Sequence, residues 1–338
     1  MATQQHAAPQ PSPMGIFAAL NGYQQTYALK GAIELEIFTH IGAGAVTAAA
    51  IAGHCHASER GVRILCDYLV VIGFLTKSDG AYGLTQDAAV FLDKRSPAYV
   101  GSMAGFLAHD QHIERYRDLT SAVRNGGLSD DGHMAPDDPI WVEFARSMAP
   151  MMRMVAERIA PLAAEPGRPA KVLDIAAGHG LFGIAVARHN PAAEIYAVDW
   201  SPVLSVASEN ASQAGVAGRY HTIPGSAFEV DFGPGYDAVL LPSFLHHFDA
   251  PTNVRLLKKI GMAMKPEGLL LTLEMIPNED RISPPFAAAF SLMMLGSTPA
   301  GDAYTYRELD GMLREAGFHE NRLHPLDGLP VTAVLSRK

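Results

Sequence analysis

The second half of the chain alternates short apolar runs with amphipathic stretches, and no other feature constrains the fold as strongly. Helices are predicted between these runs, for example at 181–190 and 203–214. The apolar runs predict strands at 171–175, 194–198, 220–223, 238–241 and 269–273. Strands joined by helical crossovers form a parallel, doubly wound sheet, so the predicted fold class is α/β. Such a sheet binds its ligands at the carboxyl ends of the strands.

The first half of the chain has a different pattern. From Ile16 onward, apolar residues recur at helical spacing. In the segment 74–85, two short strand-like runs then flank Asp79-Gly80, a dipeptide typical of a tight hairpin turn. Helices followed by such a hairpin indicate a winged helix.

The segment 165–169, Glu-Pro-Gly-Arg-Pro, interrupts the helical pattern, and we place a domain boundary there. A second loop is predicted at 125–138, which is rich in Gly, Asp and Pro. We predict four parts: a flexible tail (1–13), a winged-helix domain (14–98), a helical linker that forms part of a substrate pocket (99–168) and an α/β domain (169–338).

Composition excludes several classes of protein. The chain has 26 Lys and Arg against 35 Asp and Glu, a net charge of −9 that argues against a general binder of nucleic acid. With two cysteines, Cys55 and Cys66, no disulfide framework is expected, which favours a reducing cytoplasm. No apolar run reaches the roughly 18–20 residues of a membrane span, and the N-terminus lacks the pattern of a signal peptide.

A glycine-rich loop indicates a nucleotide-like ligand. Residues 178–183 read G-x-G-x-x-G between a predicted strand and helix, and Asp199 ends the next strand, where it can accept hydrogen bonds from a ribose. This pattern alone suits either NAD or S-adenosylmethionine (SAM). Asp174 favours SAM, because a carboxylate repels a pyrophosphate but attracts an ammonium group. An NAD-dependent oxidoreductase remains an alternative that rests on the glycine spacing alone.

Further motifs occur in a definite order along the chain. They are Phe74-Leu75-Thr76, Tyr82-Gly83-Leu84-Thr85, the Asp174 loop, Val198-Asp199, Phe244-Leu245-His246-His247-Phe248, Lys265-Pro266-Glu267-Gly268, Glu274 and Glu315-Ala316-Gly317-Phe318. Over about residues 16–337 the chain resembles the small-molecule O-methyltransferases with an N-terminal winged-helix dimerisation domain, such as acetylserotonin and hydroxyneurosporene methyltransferases. The resemblance implies a SAM-dependent class I methyltransferase that forms a homodimer and needs no metal.

The resemblance also implies which residues contact SAM. Two positions depart from the family pattern: Ala176 replaces the first glycine of the loop, and Ser226 replaces the usual acid after the third strand. The implied cofactor-binding residues are Asp174, Ala176, Gly178, His179, Gly180, Asp199, Trp200, Ser226, Ala227, Phe228 and Pro242.

Two residues are implied to be catalytic. His246 matches the family's general base, a role that suits histidine because its pKa lies near neutrality. Glu274, 28 residues later, matches the carboxylate that orients this histidine. The family's second glutamate is missing, since its position falls near Ala303. A hydroxyl acceptor is favoured because a hydroxyl must lose its proton. A carbon acid remains open with the same base, and a thioether acceptor remains open without one.

An apolar acceptor pocket is implied by family position, with plain helical core as the alternative for each residue. The candidates are Met103, Phe106, Trp141, Phe144, Met148, His247, Phe286, Phe290, Met293 and Met294. His247 stands where the family usually has aspartate, and we interpret it as a solvated or supporting residue. His109 and His112 are further candidates, although surface or capping roles are favoured for them.

Two other functions have little support in the sequence. A metal site at 54–56 or at His247 lacks distant ligands at suitable spacing, so none is predicted. A winged-helix DNA-binding regulator would need a basic recognition helix, whereas the stretch 62–72 carries Arg63 and Asp67 among apolar residues, which suits a subunit interface.

Overall fold

The computed structural model describes residues 11–128, 138–168 and 170–338. Most of the predicted tail and most of the predicted loop at 125–138 lie outside these residues. The chain consists of two compact units, of which the first ends at Ala104 and the second runs from Gly105 to Lys338. Among the described residues, none of the helices is both long and apolar enough to cross a membrane.

The described residues of the first unit form six α-helices and a hairpin. In chain order they are α1 (Met14–Leu20), α2 (Gly22–Glu34), α3 (Ile37–Gly42), α4 (Ala48–Cys55), α5 (Glu59–Val71), β1 (Leu75–Ser78), β2 (Ala81–Leu84) and α6 (Gln86–Phe91). Strands β1 and β2 pair antiparallel around Asp79 and Gly80, whose φ angles are 49° and 77°. Both turn residues have positive φ, as a tight hairpin turn requires. The predicted hairpin is confirmed.

The first unit has its own core and an uncovered apolar helix. Ile37, Phe38, Ile51 and Leu69 are fully or almost fully buried in the core. The apolar residues of α1 are exposed instead, with Leu20 at 72%. Helix α1 therefore carries apolar surface that this unit does not bury.

The second unit is built around a seven-stranded sheet. Its strands are β3 (Ala170–Ile175), β4 (Ala193–Asp199), β5 (Tyr220–Pro224), β6 (Tyr236–Pro242), β7 (Met264–Glu274), β8 (Glu320–Pro325) and β9 (Thr332–Arg337), in the order β5-β4-β3-β6-β7-β9-β8. Its helices are α7 (Ala104–Leu107), α8 (Asp110–Glu114), α9 (Leu119–Asn125), α10 (Ile140–Ala163), α11 (Leu181–His189), α12 (Ser201–Gln213), α13 (Ala250–Ala263), α14 (Pro285–Ser297) and α15 (Tyr306–Glu315). The α/β fold class is confirmed.

The sheet differs from the prediction at one edge. The five predicted strands, β3 to β7, are parallel, but β9 pairs antiparallel with β7, and β8 pairs antiparallel with β9. Strands β8 and β9 are joined by a short connection, which can only produce antiparallel neighbours. The predicted parallel sheet is therefore a mixed one.

The predicted helical linker begins as a series of short helices before the long helix α10. The chain there forms a 3-10 turn at Gly101–Met103 and the three short helices α7, α8 and α9. The His109 side chain accepts a hydrogen bond from the Gln111 N–H, so it caps α8 and starts a new helix within the linker. This local hydrogen bond competes with continuation of the helix.

Candidate functional site

The glycine loop joins β3 to α11 at the carboxyl edge of the sheet. Gly178 and Gly180 have φ angles of 57° and 75°, in the left-handed region that glycine adopts at little cost. A side chain on Gly180 would place its Cβ 2.6 Å from the Tyr220 hydroxyl. Ala176 also has a positive φ, 53°, so this departure from the family pattern occupies a conformation that suits glycine better.

Asp174 lies beneath this loop and is fully buried. Its Oδ2 accepts a hydrogen bond from the Gly183 N–H at 2.9 Å, and its Oδ1 has no partner among the described residues. Burial raises the pKa of this carboxyl well above its ordinary value. An unpaired buried carboxylate oxygen is costly, so it requires compensation by a donor or a cation. This is the environment that would attract an ammonium group.

Asp199 ends β4 beside the same loop. Its Oδ2 accepts from the Gly178 N–H at 2.8 Å, and its Oδ1 accepts from the Trp200 N–H at 2.7 Å. Burial raises the pKa of Asp199 to about 6. The two backbone bonds fix the carboxylate, and its remaining lone pairs suit the hydroxyl groups of a ribose.

His179 occupies the variable position inside the loop and is 3% exposed. Its Nδ1 accepts from the Leu181 N–H at 3.1 Å, and its carbonyl oxygen accepts from the Asn210 amide at 2.8 Å. Burial lowers the pKa of His179 to about 4. The neutral ring therefore carries its proton on Nε2, as a donor.

The buried His179 should make the fold less stable in acid. Histidine in an unfolded chain titrates near pH 6.5, so between pH 6.5 and 4 the unfolded chain binds a proton that the fold excludes. The corresponding stability is present at neutral pH and is lost as pH falls. When the pH is lowered from 7 to 5, we expect the unfolding free energy of the wild type to fall by about 2 kcal/mol more than that of His179→Gln. Urea unfolding at both pH values measures this difference, and equal losses in the two proteins would contradict it.

The implied cofactor-binding residues Ser226, Ala227 and Phe228 follow β5. The Ser226 hydroxyl accepts from the Phe228 N–H at 3.2 Å, and Lys259 Nζ donates to the Ala227 carbonyl at 3.0 Å. The Phe228 ring lies 4.9 Å from that of Phe248, edge to face. Pro242 ends β6 and is buried. Ser226, Ala227 and Phe228 thus lie on a loop after the carboxyl end of β5 whose backbone is held in place, and Pro242 lies at the carboxyl end of β6.

His246 and Glu274 are in direct contact, although 28 residues separate them. His246 lies in the 3-10 turn Leu245–His247 after β6, and Glu274 ends the neighbouring strand β7. The Nδ1 atom of His246 lies 2.6 Å from Oε2 of Glu274. Oε1 of Glu274 accepts from the N–H groups of Phe244 and Leu245, at 3.0 and 2.9 Å. An ionised carboxylate can only accept hydrogen bonds, so Nδ1 of His246 is the atom that carries the proton between them. In the neutral ring, Nε2 is then the acceptor.

Three residues missed by the sequence reasoning hold the turn that carries His246. Asn253 of α13 donates to the Leu245 carbonyl at 2.8 Å, and the Tyr304 hydroxyl donates to the Phe248 carbonyl at 2.5 Å. Gly301 packs so closely that a Cβ there would collide with the His246 carbonyl. No local pattern marks Gly301 and Tyr304, because they act on backbone in a distant segment, and Asn253 reaches back from α13 to the turn that precedes it.

Gly301→Ala should displace the His246 turn. Because the group in the way is backbone, it cannot swing aside, and if His246 is the predicted base, a displacement near 1 Å costs about 10²-fold in rate. We expect kcat to fall by that order while affinity for SAM is retained. Gly311→Ala is the matched control, since nothing lies within 4 Å of a Cβ at Gly311 in α15. Equal kcat values in both variants would contradict the prediction.

Several predicted acceptor residues lie around this turn in the second unit. The Phe290 ring stands 4.8 Å from the His246 ring, and the Trp141 ring 6.2 Å from the His247 ring. The Phe106 and Phe144 rings contact each other at 4.9 Å. Met148 and Met294 are buried, Met293 is partly buried, Phe286 is 61% exposed, and Met103 belongs to the first unit. Phe290 and Trp141 are thus the members in ring contact with the His246–His247 pair.

His247 is partly buried, which favours the supporting role over the solvated one. Its Nδ1 atom is buried with no partner among the described residues, and its ring lies 4.3 Å from that of His246. Desolvation, reinforced by His246 and Arg115, lowers the pKa of His247 well below its ordinary value. The part of the chain that the structure describes contains no group of three or more His, Cys, Asp or Glu suited to a metal, at 54–56 or elsewhere.

Comparison with known proteins identifies both units. The sequence profile of the O-methyltransferase domain matches residues 125–319, and that of the O-methyltransferase dimerisation domain matches residues 17–94. The 3-hydroxy-5-methyl-1-naphthoate 3-O-methyltransferase of Streptomyces sahachiroi is 29% identical over 306 residues, covering 89% of this chain and 88% of its own.

Solved structures of similar proteins agree with the two sequence profiles. A crystal structure from Nostoc punctiforme PCC 73102, provisionally described as an O-methyltransferase, is 52% identical and superimposes with a TM-score of 0.94, covering 98% of this chain and 100% of its own. Human N-acetylserotonin methyltransferase in complex with SAM is 23% identical, with a TM-score of 0.83 over 99% of each chain, and shows the same fold.

Proposed function

The chain belongs to the O-methyltransferase family, and from that premise we propose that it moves the methyl group of SAM to a hydroxyl oxygen of a small molecule, with His246 as general base and Glu274 orienting it. The observation that carries this proposal is the hydrogen bond of 2.6 Å between His246 Nδ1 and Glu274 Oε2. Family membership leaves no support for an NAD-dependent oxidoreductase or a DNA-binding regulator.

The residues around the glycine loop fit the methyl donor. Asp174 offers an unpaired buried oxygen for the ammonium group, and Asp199 offers a fixed carboxylate for the ribose. His179 offers an Nε2–H donor for the carboxylate of SAM, because its Nδ1 is already an acceptor. When bound, SAM supplies a methyl group on a positively charged sulfur.

The proposed base acts on the acceptor. Nε2 of His246 accepts the hydroxyl proton while the oxygen attacks in line with the methyl group. The charge that develops on the imidazole is stabilised by Glu274, which two backbone N–H groups already hold in place. His246 is 5% exposed, so little water competes for its proton. We propose no metal in this step.

The test of the function is transfer of labelled methyl from SAM across a panel of phenols, hydroxy acids, keto acids and thioethers. Transfer to hydroxyl groups supports the proposal. Transfer restricted to thioethers or carbon acids would retain the donor assignment and refute the acceptor assignment.

We propose a homodimer formed through the dimerisation domain. The exposed apolar residues of α1, including Phe17 and Leu20, provide surface that a second copy would bury. Leu20→Asp should place a charge in that interface and shift the protein toward the monomer at micromolar concentration. Sedimentation velocity measures this shift, with Met262→Asp, at an exposed apolar residue of the second unit, as the control. A wild type that sediments as a monomer would contradict the proposal.

A further inference from the structure

A buried tyrosine beneath the glycine loop has a hydroxyl without a protein partner. Tyr220 begins β5 and is 8% exposed. Its hydroxyl is buried and makes no hydrogen bond to any described residue. An unpaired buried hydroxyl is unfavourable, so phenylalanine would suit this position better if the hydroxyl had no role.

Two glycines place this tyrosine beside Asp174. A Cβ added at Gly180 would lie 2.6 Å from the Tyr220 hydroxyl. A Cβ added at Gly183 would lie 3.4 Å from Cε2 of the Tyr220 ring and 2.8 Å from Oδ2 of Asp174. The ring and the carboxylate therefore lie on either side of the same point next to Gly183, and the hydroxyl extends under the glycine loop.

Each of the two side chains offers what the other lacks. Oδ2 of Asp174 accepts from the Gly183 N–H, whereas Oδ1 is buried and has no partner among the described residues. An ionised carboxylate can only accept a hydrogen bond, and a tyrosine hydroxyl can donate one. Because no direct hydrogen bond joins Tyr220 to Asp174, one buried water between them would satisfy both groups.

We propose that Tyr220 is a positioning residue for the methyl donor: through one buried water, its hydroxyl donates to Oδ1 of Asp174 and keeps this carboxylate ionised for the ammonium group of SAM. This inference rests on the proposed function, which assigns SAM to the glycine loop. A carboxylate oxygen has two lone pairs, so Oδ1 can accept from the water and from the ammonium group together.

The ionisation of Asp174 should therefore affect ligand binding. Around its carboxyl stand Asp199 of β4, Tyr220 of β5, the Gly183 N–H of α11, His179 of the glycine loop, and its apolar register partners Ala197 and Leu240. Burial, and then the charge of Asp199, raises the pKa of Asp174. Loss of a donor to the ionised form would raise this pKa further. His179, whose pKa is about 4, stays neutral near neutral pH.

Two ligands separate the roles of Asp174 and Asp199. S-adenosylhomocysteine and 5′-methylthioadenosine both carry the ribose assigned to Asp199, but only the first carries the ammonium group assigned to Asp174. Calorimetry measures their binding to the full-length protein between about pH 5.5 and 8.5. For Tyr220→Phe, we expect affinity for S-adenosylhomocysteine to fall about 10-fold at acid pH and to recover as pH rises, with the midpoint about one pH unit higher. Affinity for methylthioadenosine should be unchanged, which also verifies that the variant is folded.

Two further variants are the comparisons. Tyr236→Phe is the matched control, because Tyr236 is a buried tyrosine that begins β6 and donates to the Phe232 carbonyl at 2.6 Å. It should bind both ligands as the wild type does. Asp174→Asn tests whether Tyr220 acts through Asp174: adding Tyr220→Phe to Asp174→Asn should weaken binding of S-adenosylhomocysteine no further.

The outcomes separate the inference from the proposed function. Coincident binding curves for wild type and Tyr220→Phe, an equal loss of affinity for both ligands, or a loss that is the same at every pH would each overturn the inference. A wild type that does not bind S-adenosylhomocysteine would overturn the donor assignment. Urea unfolding without ligand then decides on the hydrogen bond itself: a lower midpoint in Tyr220→Phe supports it, and an unchanged or higher midpoint overturns it.

Discussion

His246→Gln should lower kcat for methyl transfer to a hydroxyl about 10²- to 10⁴-fold, the range that a positioned general base contributes. Glutamine is similar in size to histidine and can hydrogen bond to Glu274, but its amide cannot accept the proton of the acceptor at neutral pH. The turn that carries the residue is held by Asn253 and Tyr304 through backbone carbonyls, so the substitution should leave it in place.

The measurement compares single-turnover rates with SAM affinity in the same preparation. Affinity for SAM should be unchanged, because His246 is not among the residues assigned to the donor, which lie on the glycine loop and at or after the carboxyl ends of β3 to β6. If a thioether were the acceptor, the variant would transfer methyl at the wild-type rate, since sulfur has no proton to lose. Full activity of His246→Gln toward a phenol would rule out the general-base mechanism.

Glu274→Gln should reduce kcat by a similar factor for a different reason. The amide oxygen can still accept from the Phe244 and Leu245 N–H groups, but its NH₂ then faces Nδ1 of His246. An NH₂ donor forces Nδ1 to accept, so the imidazole proton moves to Nε2, where it blocks the base. In serine proteases, where a carboxylate likewise orients the catalytic histidine, the wrong tautomer costs about 10⁴-fold in kcat.

The two substitutions should not be additive. If Glu274 acts through His246, the double variant should be about as slow as the slower single variant, because the two residues act as a unit. Glu274→Ala is the comparison for stability: it leaves two backbone N–H groups and Nδ1–H unsatisfied, and each buried unsatisfied group costs about 1–3 kcal/mol. A Glu274→Gln variant that retains wild-type kcat would contradict the tautomer argument.

The sequence alone determined the donor half of the protein, because that half is encoded locally. A strand, a glycine turn and a helix within 170–189 place Asp174 beneath the loop that we propose binds SAM, and their spacing is visible in the chain. The hairpin at 75–84 was predictable for the same reason, since Asp79 and Gly80 suit the turn they form. The pairing of His246 with Glu274 was implied by the resemblance. The two residues meet at one edge of the sheet because β6 and β7 are adjacent parallel strands.

Only the tertiary structure decided what surrounds that pair. Gly301 and Asn253 fix the His246 turn through contacts that no periodicity predicts, and β8 and β9 close the sheet antiparallel where alternation suggested parallel strands. The sequence left open whether His247 is solvated or supporting, because nothing local distinguishes the two. Only the packed chain shows that its Nδ1 atom is buried without a partner among the described residues, since burial depends on side chains that distant segments supply.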